Sequence, residues 1–528
     1  MLAWKDIQSW NAPRIAALAD RLAGSATELQ QQAQALRDAV DQLEWNGDAA
    51  DAARAALGAL HEDYQDRTAE LCRVGRCVAG MADSMYPLSA LVRDCDDTAK
   101  TNTMEVDAAG HVADALIAYT TASGDAWDLA RDRTRLRREI EERVRAALIR
   151  ATEIDHDAAA DIARSDELRI PAEQHGPANM SKLGTAPANA AYWATLTPSQ
   201  RTRLVLEQPG AIGNLDGIPA GVRDAANRRM LILERTRLLG VAADLQAQLD
   251  GNMFGGMFDN ADAGLAETHE RLAALDAIAE TLARGNRQLL VLDNSSADET
   301  LAAIAVGNVN TATHVAVFVP GLDSDVAGDI GRYDGNMEDL EAAVQQALPS
   351  GESAACVTWM NYRAPSLGWS LLDPRSTVIS PTAAALGAPR LTGFLDGLDA
   401  SRSQDPHLSL LGHSYGSITA ALATKGVDTA GVDELVTLGS PGLGIDRIDS
   451  ISVPPQHVFV GEAAGDVIAD LGVFGGDPSE KPGVVSLGTD SPDYLPPSRG
   501  HSEYLTDGTA TQRNVALVVA GRSAEITG

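Results

Sequence analysis

The sequence predicts an α/β architecture: a doubly wound, mostly parallel sheet behind an N-terminal all-helical domain. Two observations carry this. Between residues 288 and 487, eight short apolar runs alternate with helix-forming stretches, whereas residues 1–164 hold long apolar periodicities and few strand signals. A chain of 528 residues also exceeds what one core fills, about 250–300 residues.

Within residues 1–164, Leu18, Leu22, Leu29, Ala33, Leu36, Val40 and Leu43 fall on one helical face. The pattern breaks at Leu43-Glu44-Trp45-Asn46-Gly47-Asp48, where Gly47 is expected to end one helix and Asp48 to cap the next. Two long helices around a Trp-x-Gly turn resemble the WXG100-like hairpins of type VII secretion. The apolar stripe needs a partner surface, which a protein partner or second subunit, a third helix or the second domain could supply. Tyr64 is followed four residues later by Thr68, where the tyrosine-based secretion signal has an acid. From Asp125 to about Arg164 the chain is dense in charge, with Glu139 and Arg143, and Glu141 and Arg145, spaced four apart. Interleaved acids make this a solvated helix face and not a nucleic-acid patch.

Residues 165–192, marked by Pro171, Pro177 and Pro187, read as a linker. The second domain then runs over 193–528, with a helical extension at 193–286. Thr197 or Ser199 is placed to cap a short helix, and further helices are predicted at 228–249 and 261–284. Arg223, Asp224 and Asn227 are expected to tie this extension to the sheet by polar contacts. The predicted strands are 288–292, 302–306, 314–319, 356–362, 408–411, 434–438, 457–460 and 484–487.

The apolar run Leu408 to Leu411 leads straight into Gly412-His413-Ser414-Tyr415-Gly416, and helix formers follow from Ile418 to Ala423. A serine on such a strand-to-helix turn needs flanking glycines, because side chains there would collide with the strand and helix beside it. The turn lifts the Ser414 hydroxyl out of the sheet. An acyl-transfer serine also needs a base to take its proton and an acid to orient that base. Asp466 falls in the loop after strand 457–460 and is the expected acid, with Glu462 and Asp470 as alternatives. His501 lies in a glycine-containing loop between the last strand and a helix starting near Thr511, and is the expected base. Serine, acid and histidine thus occur in the order that sequential strand-helix units allow.

Two backbone donors are expected to face the developing oxyanion. One is the N–H of Tyr415; the other is the N–H of Leu322, in the Pro320-Gly321 turn that ends strand 314–319. His413, Tyr362 and Trp369 are candidates for the substrate pocket, and the apolar segment 366–381 for a partial lid or acyl-pocket wall. His314, His407 and His457 each precede a strand at the opposite end of the sheet and read as solvated strand starts.

Val315-Ala316-Val317-Phe318-Val319-Pro320-Gly321, the 359–365 stretch, Gly412 to Ser417, Gly439-Ser440-Pro441-Gly442 and Gly500-His501-Ser502 together resemble the actinobacterial α/β-hydrolase family once catalogued as domain of unknown function 1023. The motif at 212–227 belongs to the same set. The resemblance spans roughly residues 190–525 and implies a serine-hydrolase fold without naming a substrate.

A net charge of −32 argues against nucleic acid or an anionic membrane surface as the main partner. No apolar stretch is long enough to cross a membrane and no leader pattern opens the chain, so the cytoplasm is the expected compartment, with type VII export as the alternative. Cys72, Cys77, Cys95 and Cys356 lack the spacing of a zinc site, and no Walker loop or dinucleotide fingerprint occurs. No cofactor or metal is expected. The reading that follows is a serine hydrolase acting on a small-molecule or lipid ester. The alternatives are acyl transfer by the same residues, or an interaction protein built on a degenerate hydrolase fold.

Overall fold

The computed structural model describes residues 2–42, 46–114, 124–163, 184–251, 261–295, 299–365, 380–425, 431–469, 472–490 and 495–527. It divides into two compact units, residues 1–183 with 191–203, and residues 184–190 with 204–528.

The first unit holds α1 (Trp4–Gln8), α2 (Ala12–Asp41), α3 (Asp48–Thr101), a hairpin of β1 (Met104–Val106) and β2 (Val112–Asp114), and α4 (Gly124–Ala163). Ala12, Ala19, Ala26 and Ala33 are the buried residues of α2, one every seven positions. Leu22, Leu29 and Leu36 are only partly buried and Leu18 is exposed. Small side chains at the seam let α2 and α3 approach closely, and Leu22 Cβ lies 3.5 Å from where a Cβ on Gly75 would sit. The turn differs from expectation. Gly47, with φ +117°, is itself the N-cap of α3, and Asp48 is the first helical residue, where its charge favours the helix N-terminus. Trp45 lies outside the described residues. Arg143 pairs with Glu139 at 3.8 Å as predicted, whereas Glu141 pairs with Arg137 at 2.7 Å.

The proline-marked linker is shorter than the sequence predicts, since α5 (Ala186–Ala194) begins inside it. Pro187 sits in the first turn of α5, where no N–H donor is needed. The division between the units falls within this helix. Thr197 caps α6 (Pro198–Glu207) as predicted, its Oγ accepting from Gln200 N–H at 3.3 Å.

In the second unit α7 (Pro209–Gly213), α8 (Ala220–Gly251) and α9 (Ala261–Leu282) precede an eight-stranded sheet. All eight predicted strands are present: β3 (Arg287–Asp293), β4 (Leu301–Val306), β5 (His314–Val319), β6 (Ala354–Met360), β7 (His407–His413), β8 (Glu434–Leu438), β9 (Val458–Gly461) and β10 (Val484–Ser486). Their spatial order is β10-β9-β8-β7-β5-β6-β4-β3, with β4 antiparallel to both neighbours and the other pairs parallel. Near-continuous apolar runs suit strands buried on both faces. Val315, Val317 and Val319 pack with α11 (Thr382–Ala400) and α12 (Gly416–Ala423). Ala316 and Phe318 pack on the other face with α9, α10 (Val326–Ala347) and α13 (Ala510–Val519).

The edge strand β3 would leave backbone groups open, and the 212–227 motif satisfies them. Asn214 accepts from Leu292 N–H at 2.8 Å and donates to Leu292 O at 2.7 Å. Asp224 accepts from Leu289 N–H at 2.7 Å, and Asn227 donates to Leu289 O at 3.1 Å. Arg223 turns inward to the extension, bonding Gly213 O and Asp216. His314 is not a solvated strand start: it is buried, with Nδ1 2.9 Å from Val519 O and Nε2 2.7 Å from Glu352.

Candidate active site

The carboxyl ends of β5, β7, β8 and β9 converge on one rim, the edge where open α/β sheets hold ligands. Ser414, between β7 and α12, has φ +54°, a strained value for a serine. The crossing is tight enough that a Cβ on Gly416 would lie 2.2 Å from Val319 O. Ser414 is 5% exposed, and its N–H donates to Leu438 O at 2.9 Å, which registers the turn against the end of β8.

The Pro320-Gly321 turn after β5 presses on the serine: a Cβ on Gly321 would fall 2.7 Å from Ser414 Cβ and 3.0 Å from Tyr415 N. Among the described residues, neither the Tyr415 N–H nor the Leu322 N–H has a hydrogen-bond acceptor. Tyr362, predicted at the end of a strand and as a pocket wall, lies beyond the end of β6 and is 4% exposed. Its hydroxyl donates to Pro320 O at 2.6 Å, so it supports this turn from beneath. Trp369 and most of the proposed lid, 366–379, lie outside the described residues. The Tyr415 side chain is committed inward, donating to Ser380 O at 2.6 Å.

Asp466 and His501 meet. His501 Nδ1 is 3.0 Å from each Asp466 carboxylate oxygen. Their loops are stitched together as well, by Gly500 N–H donating to Ala464 O at 3.1 Å. Asp466 also accepts from Tyr504 OH at 2.5 Å and from Ile468 N–H at 3.0 Å. Burial pushes this carboxyl up, but the bonds from His501 and Tyr504 outweigh it and hold it down at about 2. An imidazole whose Nδ1–H is given to a carboxylate keeps its Nε2 lone pair free for a proton.

His413, expected in the pocket, is held against His501: its Nε2 lies 2.6 Å from His501 O, and the two rings are 4.8 Å apart. Burial, then the neighbouring His501, pushes His413 down to about 4, so it is neutral near pH 7. Through this contact the residue next to Ser414 touches the histidine loop. Among the described residues no hydrogen bond joins the Ser414 hydroxyl to the His501 ring.

Two residues beside this pair were not expected at the site from the sequence. Gly439, at φ +57°, fills the space beside the pair: a Cβ there would be 2.6 Å from Asp466 Oδ2 and 3.1 Å from His501 Nδ1. Its place in Gly-Ser-Pro-Gly directly after a strand was the available signal. Tyr504, three residues after His501, is 1% exposed and carried no motif of its own.

A sheet of this order with a serine at the β7–α12 turn defines an α/β hydrolase, and a sequence model of the family described as alpha/beta hydrolase matches residues 295–475. The chain belongs to that family. It is 31% identical over 237 residues to uncharacterized protein Mb0988c of Mycobacterium bovis, a match covering 41% of this chain and 83% of the relative. It is also 30% identical over 344 residues to uncharacterized protein Rv2079 of Mycobacterium tuberculosis, covering 62% of this chain and 50% of the relative. The chain thus spans about half the length of that relative. Among solved structures, an esterase from Pyrobaculum calidifontis aligns with 50% of this chain and 93% of its own, at 11% identity and a TM-score of 0.28.

Proposed function

We propose that the protein is a serine hydrolase that cleaves carboxylic esters, of a small molecule or a lipid, through an acyl-enzyme. His501 Nε2 takes the Ser414 proton as Oγ attacks the ester carbonyl, and Asp466 holds the imidazolium that results. The tetrahedral oxyanion is met by the amides of Tyr415 and Leu322, each worth about 3 kcal/mol of transition-state stabilisation. The imidazolium then gives its proton to the leaving alkoxide oxygen, and a water, deprotonated in turn by His501, releases the acid and restores Ser414.

The observation that carries this reading is the Asp466–His501 pair at 3.0 Å, on the rim that also holds a strained serine flanked by two amides that have no acceptor among the described residues. The motif set at 315–321, 412–417, 439–442 and 500–502 supports placing the chain in the actinobacterial branch named above. The α2–α3 hairpin is compatible with a WXG100-like role, and a protein partner is the proposed purpose of the helical unit.

The test is labelling with a fluorophosphonate probe and turnover of short p-nitrophenyl esters. Wild type should label once per chain and turn over. Ser414→Ala should lose both while its circular dichroism and melting temperature stay those of wild type. Labelling that survives in Ser414→Ala, or a wild type inert in both assays, sinks the proposal.

A further inference from the structure

We infer that Tyr504 is a positioning residue for the acid, acting through Asp466 on His501. The inference rests on the hydrolase reading above. A carboxylate beside an imidazole can rotate, and each rotation changes which oxygen faces Nδ1. At this site the rotation is stopped from the far side. Tyr504 OH donates to Asp466 Oδ2 at 2.5 Å while Ile468 N–H donates to Oδ1 at 3.0 Å, so each oxygen has its own fixed donor besides His501.

The phenol is itself fixed. Its oxygen accepts from Ala463 N–H at 2.9 Å, in the same loop as Asp466, and its ring lies 5.8 Å from that of His413, which holds the His501 carbonyl. Tyr504 therefore sits where the supports of acid and base meet. Burial and the Asp466 charge push its phenol up, so the hydroxyl remains a donor across the working range. A hydrogen bond to an ionised group is the strong kind, and it is made in a site where Asp466 is 3% exposed.

The bond has a second consequence. It draws charge off the carboxylate that orients the base, so removing it leaves more charge facing the His501 Nδ1–H and a carboxyl that holds a proton more tightly. Tyr504→Phe deletes only the hydroxyl. We expect a roughly tenfold fall in kcat with KM little changed, and an acid limb of the kcat/KM profile displaced upward by about one pH unit. A purely structural tyrosine would lower stability without moving that limb.

The experiment compares wild type, Tyr504→Phe and Asp466→Asn by pH-resolved ester kinetics, and records the imidazole Nδ1–H resonance in chains carrying 15N-histidine. A displaced limb together with a shifted Nδ1–H resonance supports the role. Kinetics and resonance both equal to wild type overturn it. Should Tyr504→Phe melt, 3-fluorotyrosine at 504 keeps the shape and strengthens the donor, and the limb should then move downward; an unmoved limb overturns the inference. Failure of the hydrolase reading looks different, because wild type itself would neither label nor turn over. In that event the resonance decides alone: unchanged in Tyr504→Phe it overturns the positioning role, and shifted it upholds the Tyr504–Asp466–His501 linkage.

Discussion

Two buried carboxyls in the hydrolase unit are driven in opposite directions, and donor count explains why. Asp466 accepts from His501, Tyr504 and a backbone N–H and is held at about 2. Glu434, 2% exposed at the start of β8, has among the described residues only His457 Nδ1 at 3.1 Å, with His407 Nε2 at 3.9 Å and the Asp433 carboxylate nearby. Burial first and Asp433 second push it up to about 8. The sign of the linkage follows. Between about pH 4.5 and 8 the unfolded chain has released this proton and the folded chain retains it, so stability falls as pH rises through that window. Glu434→Gln keeps the shape and removes the titration. Its melting temperature should exceed that of wild type at pH 8.5 and approach it near pH 4.5. Equal pH slopes for the two proteins in a melting series would refute this account.

At the scale of elements, the eight strands were legible because each is a run of apolar, often β-branched residues bounded by turn formers, and the elbow because its strand and helix flank it directly. The β1–β2 hairpin was not, since three-residue strands leave no periodicity to read. Nor was the use of alanines as the α2 seam, because close helix approach depends on which face the partner occupies. Asp466 and His501 were singled out from their loops, and the structure brings them within 3.0 Å, whereas Tyr504 beside them carried no motif and Gly439 only its Gly-Ser-Pro-Gly run.

Of the three residues expected to tie the 212–227 motif to the sheet, Asp224 and Asn227 do so and Arg223 bonds within the extension, and the purpose of the tie, satisfying the open edge of β3, needed the strand order. Asn214 alone serves both the N–H and the C=O of Leu292. Asn214→Ala should therefore cost about 2–3 kcal/mol in urea unfolding while kcat per folded molecule stays near wild type. A loss below about 0.5 kcal/mol would show that water replaces the side chain on this edge at little cost.

At the scale of the whole molecule, under the proposed ester cleavage, the charge of −32 is large enough to act on esters before they reach the rim. A neutral ester approaches without electrostatic cost. An ester bearing a carboxylate must climb a negative potential whose range is set by salt, about 30 Å at 0.01 M and about 10 Å at 0.1 M. For an isosteric pair, one neutral and one carboxylate-bearing, the neutral ester should have the higher kcat/KM at 0.01 M salt, by a ratio on the order of tenfold. That ratio should shrink as salt is raised, through a rise for the anionic ester alone. The effect belongs in kcat/KM, since repulsion acts on encounter, and kcat at saturation should stay level with salt. An anionic ester preferred at low salt would mean that basic groups at the rim overcome the field of the chain, and would redirect the search for the natural substrate toward acids.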